Sequence, residues 1–257
     1  MAQWSVQLNT FLSDLGNALQ TTVGRNLVAL YVYGSLTQDA FDPRRSDVDC
    51  VALIRHGLRS NVVARLRREL RRQDGPWLRR LQLTILVSGE LLRVNGRGWL
   101  YQFGRLRRSG SDGNPIIWVN ILHSGRVIVG PAPKAVVPPI TVRVLRAALL
   151  RELGYLRDEL ITKRSSMWRA RLSYRRYAAL TMCRILYTFA TGQVASKRVA
   201  ATWAQSRVPV QHRAIVRRAR DTSTRGRLPL RDLRKLLLHI EQRLGGVAVK
   251  LTGAPVL

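Results

Sequence analysis

The chain has 257 residues, 46% of them hydrophobic and six of them Trp, enough to bury the core of one large domain or two ordinary ones. That content argues against disorder, and the absence of any run near 18 apolar residues argues against a membrane-spanning helix. The charge is the anomaly: 44 basic residues face 15 acidic ones for a net +29, and 39 of the 44 are Arg. A G- and C-rich genome accounts for Arg over Lys. Selection for a polyanionic partner accounts for the excess as well, because Arg pairs bidentately with phosphate and stacks on bases.

The N-terminal segment has no basic region followed by a long apolar stretch, which points to a cytoplasmic location. It reads instead as a helix to about residue 24, with Phe11, Leu12, Leu15 and Leu19 as its apolar face. Leu27 to Tyr33 is a continuous apolar run of buried-strand length, closed by a Gly34-Ser35 turn. A polar connection through Pro43-Arg44-Arg45 leads to a second strand from Asp47 to Ile54. Asn61, a fair N-cap, opens an amphipathic helix to about Arg72, and Leu81 to Val87 is a third strand. Ile116–Asn120 and Arg126–Val129 are short later elements. Two same-sign runs interrupt this order: Arg65, Arg67, Arg68, Arg71 and Arg72, then Arg105, Arg107 and Arg108. Solvated faces usually mix signs, so both are candidate nucleic-acid contacts.

The Pro-rich stretch from Gly130 to Pro139 is the clearest linker, giving expected domains 1–133 and 134–257. Beyond it, 142–160, 174–190, 197–205, 210–220 and 231–244 read as helices, with Asp232 as a first-turn acid. The expected fold is therefore an α/β (α+β) domain with a mixed sheet, then an all-α helical bundle. Cys50 and Cys183 are far apart, outside any Cys/His cluster, and read as small buried hydrophobes.

Asp47 and Asp49 stand at i and i+2 of a strand, so both carboxylates project to one face while Val48 and Cys50 point to the other. Two adjacent anions repel unless a cation is present, and Mg²⁺ held by carboxylates and substrate phosphates resolves the repulsion. A D-x-D pair alone is weak evidence. Here it follows a strand ending in Gly34-Ser35, where the backbone can approach closely and amides plus the Ser35 hydroxyl can hold a triphosphate.

With those residues in place, Tyr31-Val32-Tyr33-Gly34-Ser35…Ser46-Asp47-Val48-Asp49 resembles the G-S…S-D-x-D signature of polymerase-β-like nucleotidyltransferases. Within that superfamily it resembles the streptomycin/spectinomycin adenylyltransferases in particular. Gln102-Phe103-Gly104, the segment from Leu180 to Tyr187, Thr191-Gly192 and the segment from Lys197 to Ala204 extend the resemblance through nearly the whole chain. It implies ATP as nucleotide donor, Mg²⁺ at Asp47 and Asp49, phosphate contacts from Gly34 and Ser35, and further phosphate contacts from Arg184 and Lys197. It also implies a third acid, serving as base, at Gln82, and an amide there cannot take a proton. Glu90 lies beyond the strand end. Arg105-Leu106 stands where Glu-Trp is common, and Arg169, Arg171, Arg175 and Arg176 stand where acidic residues are expected. Streptomycin, a cation, is a poor fit to that acceptor side. Two readings remain: AMP transfer from ATP to a hydroxyl-bearing small molecule, or an impaired homologue that binds RNA through its basic surface.

Overall fold

A seven-residue run made mainly of apolar residues can be buried on both faces of a sheet. Three such runs form the centre of the sheet in the computed structural model, which describes residues 4–73, 75–92, 98–109, 114–163, 170–221 and 227–245. They are β1 (Leu27–Tyr33), β2 (Val48–Ile54) and β3 (Leu81–Val87). With β4 (Gly98–Gln102), β5 (Arg105–Ser109) and β6 (Arg126–Val129) they form one six-stranded sheet in the order β5-β4-β3-β2-β1-β6. Only β2 and β3 run parallel; every other neighbouring pair is antiparallel, so the sheet is mixed.

One face packs on α1 (Val6–Val23) and α2 (Ser60–Arg72). Leu30, Val32, Val48, Cys50, Ala52, Leu83 and Ile85 of the sheet meet Leu12, Leu15 and Leu19 of α1 and Leu66 and Leu70 of α2, all with 2% exposure or less. Ser5 caps α1 by accepting from the Leu8 amide, and Gly24 ends it at φ 61°. Across that end lies the Arg65 guanidinium, which donates to the Thr21 and Thr22 carbonyls. α2 starts at Ser60 with Arg59 at the cap position, and not at a cap formed by Asn61. The Asn61 side chain is spent on its neighbour, accepting from the Val62 amide.

On the other face, Tyr31, Val51 and Leu53 are fully buried, and α3 (Pro115–Ser124) packs on β1. The short element expected at 116–120 is thus a ten-residue helix, with Asn114 as N-cap and Pro115 in its first turn. Its Trp118 is fully buried and donates to the Leu91 carbonyl at 2.7 Å.

The β4–β5 hairpin is the element the sequence reading lacks. Arg105–Arg108 looks like a charge run, but Leu106 is 6% exposed in the core while its arginine neighbours alternate around it. The turn at Phe103 (φ 52°) and Gly104 (φ 73°) has both central residues left-handed, the geometry of a tight two-residue hairpin.

The chain divides into compact units at Pro138/Pro139. The described part of the second unit is helical: α4 (Val142–Arg157), α5 (Leu172–Thr191), α6 (Lys197–Gln205), α7 (Val210–Arg220) and α8 (Leu230–Gly245). α4 runs into a π-helical turn, Asp158–Thr162, where buried Glu159 pairs with Lys163. Its core is apolar, from Leu149 and Leu156 through Met182, Leu186 and Ala200 to Val216 and Leu237. Both cysteines are buried free thiols; burial pushes Cys183 up to about 12 and raises Cys50 further, so neither is reactive. No helix among the described residues is long and apolar enough to cross a membrane.

Candidate active site

β1 delivers the chain to Gly34, which turns at φ 79° into a 3₁₀ turn, Gly34–Thr37. Glycine is needed there twice. The conformation is left-handed, and a Cβ at this position would stand 2.6 Å from Asp49 Oδ2. The Thr37 hydroxyl donates back to the Gly34 carbonyl at 3.2 Å. The returning loop is held from inside and outside. Asp42 accepts from the Arg44 amide, Ser46 accepts from the Asp42 amide, and Arg80 donates to the Pro43 and Arg44 carbonyls. This fixes where Asp47 enters β2.

The register then sets the site. Asp49 pairs with Tyr33 of β1 on one side and with Gln82 of β3 on the other. Val48 and Cys50 are fully buried on the α1/α2 face, so Asp49 and Gln82 share the opposite one. The Gln82 amide Nε2 donates to Asp47 Oδ2 at 3.2 Å, which brings both carboxylates and the amide together on that face. Gln82 therefore acts as a donor to a carboxylate, the reverse of what a base does. Glu90 ends a 3₁₀ turn after β3, at the other end of the strand. Among the described residues no three His, Cys, Asp or Glu side chains gather around one point. Two carboxylates are what Mg²⁺ ordinarily takes from a protein when substrate phosphates and water complete its shell, so the residues present fit that ion.

The basic candidates divide by partner. Arg65 covers the end of α1, Arg67 donates to the Leu106 carbonyl at 3.0 Å, and Arg72 pairs with Glu69 at 2.8 Å. Arg108 lies 5.4 Å from the Trp99 ring centroid. Arg68, Arg71, Arg105 and Arg107 are exposed. The first cluster is in good part a brace between α2, α1 and β5.

Arg184 and Lys197 lie on α5 and at the start of α6 in the second unit, where Ser196 caps α6 by accepting from the Val199 amide. The structure brings both cations to Tyr177, a residue the sequence reading missed. Lys197 Nζ is 5.6 Å from its ring centroid. Its hydroxyl is pushed up to about 12, first by burial and then by Glu152, against the opposing charge of Arg184. That hydroxyl donates to Glu152 Oε1 at 3.3 Å. The available signal was spacing: Tyr177 and Arg184 are two turns apart on one helix. Arg175 and Arg176 donate to the Leu228 and Asp221 carbonyls, and Arg169 lies outside the described residues. The two cavities of note, about 380 Å³ beside Arg55 and Val87 and about 470 Å³ beside Arg175 and Pro229, are both away from the carboxylates.

A mixed sheet carrying Gly-Ser after β1 and two carboxylates at the head of β2, followed by a helical unit, is the nucleotidyltransferase fold. The spectinomycin adenyltransferase AAD(9) from Enterococcus faecialis, solved with ATP and spectinomycin, matches it at a TM-score of 0.70 and 17% identity, over 92% of this chain and 98% of that one. Residues 135–236 match the model of the aminoglycoside adenylyltransferase C-terminal domain. Aminoglycoside (3'') (9) adenylyltransferases of Shigella flexneri and Escherichia coli are each 24% identical over 239 residues, covering 83% of this chain and 84% of theirs. The chain is thus similar to aminoglycoside adenylyltransferases over most of its length, and its helical unit matches their C-terminal domain.

Proposed function

We propose that this adenylyltransferase-like protein transfers AMP from ATP to a hydroxyl-bearing small molecule, using Mg²⁺ held by Asp47 and Asp49. The observation that carries this reading is the close packing of the Gly34 turn on Asp49: Gly34 is left-handed, and a Cβ there would stand 2.6 Å from Asp49 Oδ2. The amides of the Gly34–Thr37 turn and the Ser35 hydroxyl receive the triphosphate. Within the helical unit, Arg184 and Lys197, held beside Tyr177 and Glu152, are a second cluster of charge suited to phosphate. Mg²⁺ bound at the two carboxylates supplies Lewis-acid neutralisation of phosphate charge.

In the reaction an acceptor oxygen forms a bond to the α-phosphorus. The bond from that phosphorus to the bridging oxygen breaks, pyrophosphate leaves with the electron pair, and the hydroxyl proton passes to water. Gln82 holds Asp47 in place and takes no proton. Loss of a positioned base costs about 10²–10⁴-fold, so the rate is low unless the acceptor hydroxyl is acidic. RNA binding draws less support, because Arg65, Arg67, Arg72 and Arg108 have partners inside the fold. The test is pyrophosphate release from ATP with Mg²⁺ across hydroxyl acceptors, together with ATP-dependent thermal stabilisation. The reading predicts release that requires both Mg²⁺ and an acceptor. Absence of ATP binding would sink it.

A further inference from the structure

The face that carries Asp49 and Gln82 does not end at β3. Thr84 pairs with Leu100 of β4, and Leu100 pairs with Arg107 of β5. One alternation along the same ladder sets Gln102 beside Gln82, and Gln102 pairs with Arg105. The row leading away from Asp49 therefore reads Gln82, Gln102, Arg105, with Arg107 in the next row. The opposite face confirms the alternation: Leu106 is buried against α2, and Arg108 stacks over Trp99. Arg105 and Arg107 are both exposed on the side that carries the carboxylates.

We propose that this stretch of sheet, floored by Gln82, Gln102, Arg105 and Arg107, binds an anionic group, phosphate ester or carboxylate, on the hydroxyl acceptor. The inference rests on the AMP-transfer reading above and names the acceptor class. Three strand spacings put Arg105 about 14 Å from Asp49 along the row. It lies on the side away from β1 and the Gly34 turn. The triphosphate occupies the Gly34 side, and in-line displacement places the acceptor opposite the departing pyrophosphate, over Gln82 and beyond. Protection of an edge strand explains a charge on β5 but does not select which face it takes. Nor does it explain why the row between carries two neutral amides where a cationic acceptor needs carboxylates. Two guanidiniums repel an ammonium ligand and offer paired donors to a phosphate or carboxylate.

The experiment uses the full chain with four probes: glucose 6-phosphate, gluconate, glucose and spectinomycin. Binding is read by calorimetry with and without a non-hydrolysable ATP analogue and Mg²⁺, and transfer by pyrophosphate release. Glucose 6-phosphate and gluconate are expected to bind at least ~10-fold tighter than glucose, the scale of one charge-assisted contact. Arg105→Glu should abolish that preference, Arg105→Lys should keep most of it, and ATP affinity should change in neither. Tighter binding of glucose or spectinomycin than of the two anions, or anion affinity unaltered in Arg105→Glu, overturns the inference even where ATP binds and pyrophosphate is released. Anion binding that is lost in Arg105→Glu, in a protein that binds no ATP, sustains this site and fails the AMP-transfer reading.

Discussion

The two faces of the central sheet are made from the same strands and obey different rules. Toward α1 and α2 every inward position of β2 is apolar and sealed: Val48, Cys50, Ala52 and Ile54. The other face is equally sealed at Val51 and Leu53, then changes at Asp49, where two carboxylates and an amide meet beside a left-handed glycine whose substitution would be strained. Packing explains the first face completely. It explains none of the second beyond Val51, because adjacent like charges cost stability unless a cation binds them. Where burial stops accounting for residue choice, chemistry begins to.

The largest expected effect tests that division at its sharpest point. Asp47→Asn with Asp49→Asn should lower AMP transfer by about 10²–10³-fold or more while leaving thermal stability in the absence of ligand equal to wild type or higher. A large loss of stability would mean the carboxylates are structural. On the sealed face, Leu83→Ala should do the opposite. It should cost ~2–5 kcal/mol in denaturant unfolding, with ATP affinity unchanged in the fraction that stays folded. If nucleotide affinity falls in the folded fraction, the faces are not separable.

Gln82→Glu sharpens the boundary itself. The variant puts a carboxylate where an amide now donates to Asp47 at 3.2 Å. Transfer should rise less than about tenfold, well short of the full base contribution, because the acceptor floor beyond it also differs. A rise of 10³-fold would show a single lesion in an otherwise intact frame. Arg65→Ala tests whether the basic surface is brace or interface: losing its bonds to the Thr21 and Thr22 carbonyls should cost ~1–2 kcal/mol. Unchanged stability with weakened RNA affinity would return that arginine to an interface role.

The smallest effect concerns a polar cluster that burial does explain. The His212 and His239 rings of the helical unit lie tilted with centroids 5.2 Å apart, and desolvation lowers the pKa of both, with His239 adding to the shift of His212 and Arg243 to that of His239. Lys235 also lowers His212, and Asp232 opposes. The unfolded chain therefore binds protons first as pH drops through the ordinary value of 6.5, and the folded state loses stability from there downward. A pH series of unfolding midpoints should fall below neutrality and flatten in His239→Leu. An unchanged slope would mean carboxylates dominate the acid limb.

What the sequence determined by itself was local in origin. Leu27–Tyr33 and Leu81–Val87 are strands because runs of that length dominated by apolar residues must be covered on both sides. The helices at 197–205 and 210–220 follow from spacing alone. The Gly34-Ser35 and Asp47/Asp49 pattern was legible because strand alternation places i and i+2 on one face without any partner's help. The tertiary structure decided everything that depends on register between distant segments. No local signal says that Asp49 sits opposite Gln82, that Arg65 reaches Thr21 and Thr22, or that Lys197 lies over Tyr177. Arg105–Arg108 is the clearest case. As a string it is a charge run, and once paired with β4 it becomes two arginines over the carboxylate face, one over Trp99 and a leucine in the core. Cross-strand pairing, a long-range hydrogen-bonded contact, chooses which face each side chain takes, and a one-residue slip would reverse every assignment.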